Sequence, residues 1–424
     1  MPSPPAPRIT GLTLRERAWL PLEYVRTAGP LDGVTVDAVR AALAGLHATD
    51  PAHRAVSRLN AGRARWEHLS AGAFAGFVRE AVTGGPPDPG ALSALLLAEP
   101  PGHHPVRIAV GGRYVAFKVA HAYGDAGPVN VLIHEVVTAA AGRRAARIAP
   151  SPRERLALIR AGWNHFGRSP RKLRDGLRVT LPPRAGAAPS GAWRPELTTH
   201  SLHSAGALGR MRAWRDTHAP GVSTSAIVFA AFTAALRRSG LDPDVSGGVF
   251  LADARRYLPR GVRVDSNFCW GQFLTPADLC DPSAVNEAIR AELSSGRMLT
   301  MMALREGRLA LLGATCRPVP YPARVPVAPR PRLTFGNQGR HDLLADLPWS
   351  AGPAGRVNSS LPTRVDPDAI AIGTSELDEV LHLDVAFHAS TYDPGAVLRA
   401  LHLTCEDPAA LVTARPASRP GHRR

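Results

Sequence analysis

One histidine and one aspartate stand four residues apart at a point where the local pattern of the chain changes. His121 follows an alternating apolar run over residues 113–119, and Asp125 precedes an apolar run at helical spacing over residues 129–141. This pattern predicts a strand, a turn of small residues and a helix. Histidine suits general-base chemistry because its unperturbed pKa lies near neutral pH. The aspartate is placed to fix the turn that carries it.

The spacing His121-x-x-x-Asp125 resembles the active-site motif of the chloramphenicol acetyltransferase-like superfamily. That group includes condensation domains of peptide synthetases, wax-ester synthase-type enzymes and BAHD acyltransferases. Further segments resemble the superfamily in the expected order, at residues 31–54, 251–259, 265–271 and 332–339. The resemblance covers most of residues 12–405. It implies an α/β (α+β) protein in which two chloramphenicol acetyltransferase-like lobes form a V with a tunnel between them.

The resemblance also implies a role for each site residue. His121 is expected to be the general base, and Asp125 a structural residue paired with Arg255 or Arg256. A backbone N–H near Gly127, at the start of the helix, is expected to stabilise the oxyanion. Residues expected to support the site or line the tunnel are Asn267, Trp270, Thr334 and Asn337.

Two positions of the motif depart from the family pattern. Ala120 stands where condensation domains usually carry the first of two histidines, and His121 aligns with the second, catalytic one. Ala126 stands where the family has glycine after the aspartate, so an oxyanion donor could be shifted by one residue. BAHD enzymes manage with a single histidine, so activity is still expected.

The domain organisation follows from the same segments. Residues 1–175 are expected to form the N-terminal lobe with the motif, residues 176–406 the C-terminal lobe, and residues 407–424 a disordered tail rich in Pro, Arg and Ser. A stretch rich in Gly and Pro over residues 173–193 is the expected linker. Helices are expected over residues 36–47, 70–83, 204–218, 223–239 and 283–304, and strands over residues 106–110, 114–119, 245–252, 332–337 and 380–388.

Composition excludes several classes of protein. The formal charge is +16, but only two of the 51 basic residues are lysines, and the arginines are spread without a dense run. With no nucleic-acid-binding motif beside them, we expect them to attract an acidic carrier protein or the phosphates of coenzyme A instead. No apolar run is long enough to cross a membrane, and no secretion signal is visible. Four scattered cysteines indicate reduced thiols, so a cytoplasmic monomer is expected.

Several conspicuous residues have ordinary interpretations. His103 and His104 lie at the edge of a predicted hairpin with no carboxylate or cysteine at a suitable spacing, and are interpreted as surface residues. Cys269 has no local histidine partner, so it is interpreted as a small buried residue rather than a nucleophile. No metal site is expected.

The resemblance implies an acyltransferase that forms an ester or amide from an acyl thioester and a hydroxyl or amine, in specialised metabolism such as antibiotic biosynthesis. The donor would be a phosphopantetheine thioester, on coenzyme A or on a carrier protein, and no bound cofactor is expected. No carrier signature is visible, so a free-standing enzyme is expected. One alternative is a catalytically silent condensation-like domain that binds a carrier protein or a tailoring enzyme. Another is a histidine-dependent cyclisation or dehydration of a carrier-bound intermediate.

Overall fold

The computed structural model describes residues 8–148, 156–167, 169–178, 190–313 and 319–413. The strands of the first half are β1 (Arg8–Gly11), β2 (Glu23–Gly29), β3 (Ser57–Asn60), β4 (Arg65–His68), β5 (Val82–Gly84), β6 (Val106–Gly111) and β7 (Tyr114–Ala120). Its helices are α1 (Leu14–Trp19), α2 (Val36–Thr49), α3 (Ala71–Ala81), α4 (Pro89–Ala98), α5 (Ala126–Ala140), α6 (Ala157–Phe166) and α7 (Pro170–Gly176).

The second half follows the same mixed pattern. Its strands are β8 (Ser190–Ala192), β9 (Leu197–Ser204), β10 (Gly248–Asp253), β11 (Cys269–Leu274), β12 (Arg324–Pro326), β13 (Arg332–Arg340), β14 (Val357–Pro362), β15 (Ala369–Leu377) and β16 (Val380–His388). Its helices are α8 (Ala207–His218), α9 (Thr224–Arg238), α10 (Pro282–Ser295), α11 (Arg297–Leu312), α12 (Asp342–Ala345), α13 (Pro394–Glu406) and α14 (Pro408–Thr413). Short 3-10 helices occur at Arg54–Val56, Ala254–Tyr257 and Pro353–Gly355.

The sheet that carries the motif has the strand order β14-β2-β7-β6-β5. Strands β6 and β7 form the predicted antiparallel hairpin, with Gly112 at a φ of 56° in the turn. Almost every residue of β7 is buried because both faces of the sheet are covered. Phe117 packs with apolar residues of α2, α3 and α5, and Ala116 packs on the other face against Leu92 and Leu96 of α4. The strand that delivers His121 is therefore held from both sides.

The second large sheet has the strand order β11-β10-β13-β15-β16-β9. Parallel pairing joins β10 to β13 and β13 to β15, and the other pairs are antiparallel. Its apolar face packs against α9, which is buried through most of its length, together with α8 and α13. The Ser223 hydroxyl accepts a hydrogen bond from the Ala226 N–H at 3.3 Å and caps α9.

One strand crosses between the two halves. β14 lies in the second half of the chain but pairs antiparallel with β2, with Ser359 opposite Thr27. The buried Arg26 of β2 donates to Asn358 of β14 at 3.2 Å and to Gln338 of β13 at 3.1 Å. The first sheet is therefore completed by residues that the predicted boundary assigns to the C-terminal lobe.

The region around residue 175 also differs from the predicted boundary. Ala157 and Ala161 of α6 are fully buried in a cluster with Tyr257, Phe268 and Met302 of the second half. Helices α6 and α7, predicted to end the first lobe, thus pack with elements of the second. Of the predicted linker, residues 179–189 lie outside the described residues.

Two other predicted elements are corrected. The single helix expected over residues 283–304 is two helices, α10 and α11, because Gly296 between them adopts the left-handed conformation with a φ of 69°. The expected disordered tail begins with an ordered helix, α14, whose Leu411 is buried in the core beside α9. Residues 414–424 lie outside the described residues. Within the described ranges, no helix is long and apolar enough to cross a membrane.

Candidate active site

The strand, turn and helix predicted around His121 are present. The backbone N–H of His121 donates to the Leu22 carbonyl at 2.7 Å, which continues the pairing of β7 with β2 beyond Ala120. The chain then turns through Gly124, where an added Cβ would lie 2.9 Å from Pro128. Asp125 is the N-cap of α5. Backbone hydrogen bonding and close packing therefore fix the position of the histidine.

Aromatic residues of the first half hold the His121 ring. Its centroid lies 4.5 Å from the Trp19 ring, which is tilted by 31°, and 4.9 Å from the Tyr24 ring, which meets it edge-on. Sequence reasoning missed both residues. Their patterns carry no chemical signal, because long-range packing alone brings α1 and β2 to the histidine.

The second half contributes Asn267 to the histidine. The Asn267 amide nitrogen lies 2.7 Å from His121 Nδ1 and also donates to the backbone carbonyl of His121. Asn267 is buried, so its geometry is well fixed. Among the described residues, it is the side chain that hydrogen-bonds the imidazole, and it does so at Nδ1. An amide N–H donated to Nδ1 places the ring proton on Nε2, whereas a general base at Nε2 requires the tautomer with its proton on Nδ1. The backbone carbonyls of His121 and Gly124 also hydrogen-bond the ring, and they accept the ring proton in that tautomer.

The environment keeps the imidazole neutral. Burial lowers the pKa of His121 to about 4, although the nearby Asp125 carboxylate opposes this change. By surface area the side chain is only half-buried, so part of it is still open to a ligand. A neutral imidazole at neutral pH is the form that accepts a proton.

This low pKa predicts a particular pH profile. With an acceptor that does not titrate, kcat/KM should stay level from about pH 8 down to about pH 6 and lose activity only as the pH approaches 4, because the base is protonated only there. The measurement is steady-state kinetics, with circular dichroism at each pH to exclude unfolding. A fall centred near pH 6.5 would contradict the expected environment of the base.

Asp125 faces the second half of the protein. Its Oδ2 and Oδ1 atoms accept hydrogen bonds from the two terminal nitrogens of Arg255 at 2.8 and 3.0 Å. The backbone N–H of Phe268 donates to Oδ2 at 2.9 Å. The carboxylate is buried and committed to these donors. This bidentate pair joins the turn that carries His121 to the 3-10 helix at Ala254–Tyr257 in the second half of the chain.

Arg255 is the partner, and Arg256 is not. Arg255 also pairs with Asp253 at 3.2 Å and donates to the carbonyls of Val264 and Ser266 at 2.9 and 2.8 Å. Arg256 is exposed and lies on the wall of a neighbouring cavity that Asp253 also lines. One of the two expected alternatives for the ion pair is therefore present.

The expected role of Gly127 is not supported by the geometry. Its backbone N–H donates to Asp125 Oδ1 at 3.3 Å and so serves as the capped end of α5. A donor engaged with a carboxylate is not available to an oxyanion. The oxyanion role of this N–H stays a prediction, and it requires the N–H to leave the Asp125 carboxylate.

Trp270 is connected to the histidine through an arginine. The Arg305 guanidinium of α11 lies 5.5 Å from the Trp270 ring and 5.4 Å from the ring of Trp19, which contacts His121. Arg305 is another residue that sequence reasoning missed. Cys269 lies beside Asn267, and burial raises the pKa of its thiol well above the usual range, so it is a poor nucleophile.

Thr334 and Asn337 lie farther along the second sheet. Asn337 donates to Ser225 and accepts from the Gly339 N–H at 2.8 Å. In the described part of the chain, no hydrogen bond joins either β13 residue to His121. Asn337 instead lines a cavity of about 330 Å³. The polar residues of that cavity are Ser223, Ser225, Asp253, Arg256 and Asn337.

Sequence comparison finds no relative: no protein-family model and no curated protein matches the chain. Solved structures do match it. Trichothecene 15-O-acetyltransferase from Fusarium sporotrichioides superposes with a TM-score of 0.59 at 12% identity, over 95% of this chain and 93% of that one. The first condensation domain of the calcium-dependent antibiotic synthetase superposes with a TM-score of 0.57 at 15% identity, over 97% and 98%.

The epimerization domain from the third module of tyrocidine synthetase B gives a TM-score of 0.55 at 14% identity, over 96% of both chains. These similarities extend over nearly the whole chain. The protein therefore shares the mixed α/β fold of these acetyltransferase, condensation and epimerization structures, which is the fold that the family resemblance implied. The V-shaped arrangement of the lobes stays a prediction.

Proposed function

We propose that the protein is an acyltransferase that joins the acyl group of a phosphopantetheine thioester to a hydroxyl or amine. The observation that carries this proposal is the position of the His121 imidazole, held between Tyr24 of the first half and Asn267 of the second. The fold supports it, because an acetyltransferase and condensation domains share that fold. Biosynthesis of a specialised metabolite is the corresponding biological setting.

The chemistry needs one proton to move twice. In our proposal, His121 Nε2 takes the proton of the acceptor hydroxyl or amine as that group attacks the thioester carbonyl. The tetrahedral intermediate then collapses, the carbon–sulfur bond breaks, and the imidazolium returns the proton to the thiolate. Asp125 touches no reacting atom and acts as a positioning residue, through Arg255 and Phe268. No metal takes part in these steps.

The cavity lined by Asp253, Arg256 and Asn337 lies beside the site, and we propose that it binds the thioester donor. Its Asp253 carboxylate pairs with Arg255, which in turn holds Asp125, so the cavity adjoins the ion pair of the site. Serine and asparagine side chains on its wall suit the amide groups of a phosphopantetheine arm. The exposed Arg256 suits a phosphate.

The direct test is a transfer assay. The protein is incubated with a panel of acyl-coenzyme A and acyl-carrier thioesters and with hydroxyl or amine acceptors, and thiol release and product mass are measured. We expect transfer by the wild-type protein and none by His121→Ala. Failure with every donor, together with tight binding of a carrier protein, would favour the catalytically silent alternative.

Charge gives a second prediction for the same assay. The net charge of +16 should attract the phosphates of the donor or an acidic carrier. Raising the ionic strength from about 0.05 M to about 0.5 M should therefore raise the donor KM at least about twofold, because salt screens exposed charges. Arg256→Gln should raise KM at low salt and weaken this dependence, whereas Arg260→Gln, which removes another exposed cation, is the matched control. A KM that is independent of salt would contradict electrostatic attraction of the donor.

A further inference from the structure

The carboxylate of Glu80 lies close to the adjacent histidines His103 and His104, which precede β6. Glu80 lies near the end of α3, three residues after Phe77, so the two residues share a face of the helix. Glu80 Oε2 lies 3.8 Å from His103 Nε2 and 3.7 Å from His104 Nε2. The three atoms all lie within 4.8 Å of one another. The sequence showed no carboxylate at a suitable spacing from these histidines, but the folded chain places Glu80 beside them.

The histidines are not simple surface residues. His104 has a relative exposure of 7%, whereas the His103 side chain is 45% exposed. The Phe77 ring packs 4.4 Å from the His104 ring, and the two imidazoles lie 4.1 Å apart. The carbonyl of His103 accepts a hydrogen bond from Leu59 at 2.8 Å, which anchors the segment. The interpretation of both residues as surface residues is wrong for His104.

His104 contains a buried nitrogen without a partner. Its Nε2 atom is shielded from solvent and, within the described residues, makes no hydrogen bond. Its other nitrogen is engaged with the backbone of Phe77. A hydrogen bond from Nδ1–H to that carbonyl leaves Nε2 with a free lone pair directed toward Glu80. Buried polar atoms of folded proteins rarely lack a partner, so this atom calls for one.

We propose that Glu80, His103 and His104 form a Zn²⁺-binding site. Two imidazole nitrogens and one carboxylate oxygen are a ligand set that zinc favours, whereas Ca²⁺ and Mg²⁺ prefer oxygen ligands alone. Zinc bonds of about 2.0–2.2 Å place tetrahedral ligand atoms roughly 3.3–3.6 Å apart. The two distances from Glu80 need to close by only a few tenths of an ångström, and the Glu80 side chain is 65% exposed and free to adjust. The two imidazole nitrogens lie within 4.8 Å of each other, and the exposed His103 side chain must move toward His104 to bring them into zinc geometry.

The surroundings set the strength and the role of the site. Arg58 and Arg107 lie near the imidazoles and oppose a cation, but Arg107 is paired with Glu99 at 2.9 Å. The Glu80 carboxylate supplies the negative charge that a divalent cation requires. The exposed side of the cluster leaves a fourth position for water. A bound ion would fasten the end of α3 to the segment that leads into β6.

The test is titration of Zn²⁺ into protein that has been treated with a chelator and dialysed. We expect one ion per chain with a Kd on the order of 1 µM, and a rise in the melting temperature with zinc. Glu80→Gln should weaken binding at least about tenfold, and His104→Ala should abolish it. The absorption spectrum of the Co²⁺-substituted protein provides a second readout, because tetrahedral cobalt absorbs strongly and the spectrum should change in each variant.

Other histidines could bind zinc, so matched controls are needed. His218→Ala on α8 and Glu287→Gln on α10 remove an exposed histidine and an exposed glutamate elsewhere, and should leave the titration unchanged. If His104→Ala does not fold, Glu80→Gln and His103→Gln carry the test, since both change exposed or half-buried side chains. Absence of binding by the wild type, or equal binding by the wild type and Glu80→Gln, would overturn the proposal.

Discussion

Replacing His121 by alanine should lower kcat by about 10²–10⁴-fold, the contribution of a well-placed general base. The free energy of unfolding should fall by about 1–3 kcal/mol as well, because Asn267 loses its partner at Nδ1 and a buried amide is left short of a hydrogen bond. Contacts with Trp19 and Tyr24 are lost in the same variant. The measurements are thiol release under saturating substrates and unfolding by urea.

A second substitution at His121 distinguishes the loss of the general base from the loss of the packing contacts of the ring. His121→Phe retains an aromatic ring between Trp19 and Tyr24 but has no nitrogen to accept a proton. We expect this variant to be as inactive as His121→Ala and more stable. His218→Ala removes an exposed histidine of α8 and should keep wild-type activity. If His121→Ala keeps more than about a tenth of the wild-type rate, His121 is not the general base.

Replacing Asp125 by asparagine should reduce activity and stability together. Breaking a buried ion pair costs about 3–5 kcal/mol, and we expect about 3 kcal/mol because Arg255 keeps Asp253 and two carbonyls as partners. Displacement of the turn that carries His121 by about 1 Å is enough for a loss of about 10²-fold in kcat. Urea unfolding and steady-state kinetics of the same preparation test both effects.

Asp253→Asn is the matched control for this prediction. It removes another carboxylate paired with Arg255, but the Asp253 side chain is 59% exposed, so its ion pair should contribute less than about 1 kcal/mol. Asp125→Asn with lost activity and unchanged stability would instead make Asp125 a direct participant in the reaction.

Local patterns were sufficient to predict the elements around the motif. The alternating residues that form β6 and β7 and the apolar spacing that forms α5 require only near neighbours in sequence. The pair between Asp125 and an arginine was also predicted, but from a family resemblance. Sequence alone left two adjacent arginines as candidates, and only the 3-10 helix at Ala254–Tyr257 decides which one faces the carboxylate.

The other expectations failed for two local reasons and one long-range reason. The apolar spacing of residues 283–304 continues through Gly296 and therefore predicts one helix. The helix is interrupted there because Gly296 adopts a left-handed backbone conformation. Gly127 was expected to offer a free N–H because a helix begins there. The side chain of the N-cap, two residues earlier, takes that donor. Trp19 contacts His121, and Glu80 contacts His104, only because folding brings distant segments together. A local sequence pattern cannot predict such contacts.

The crossing of β14 limits how the two halves can move. The strand is bonded to β2 over six residue pairs, and only six residues separate its end at Pro362 from the start of β15 in the other sheet. This short connection between the two sheets leaves little room for a large movement of one half relative to the other. For the proposed reaction, we therefore expect ligands to enter through rearranged side chains and loops near His121. We expect product release to depend on local mobility there rather than on separation of the two halves.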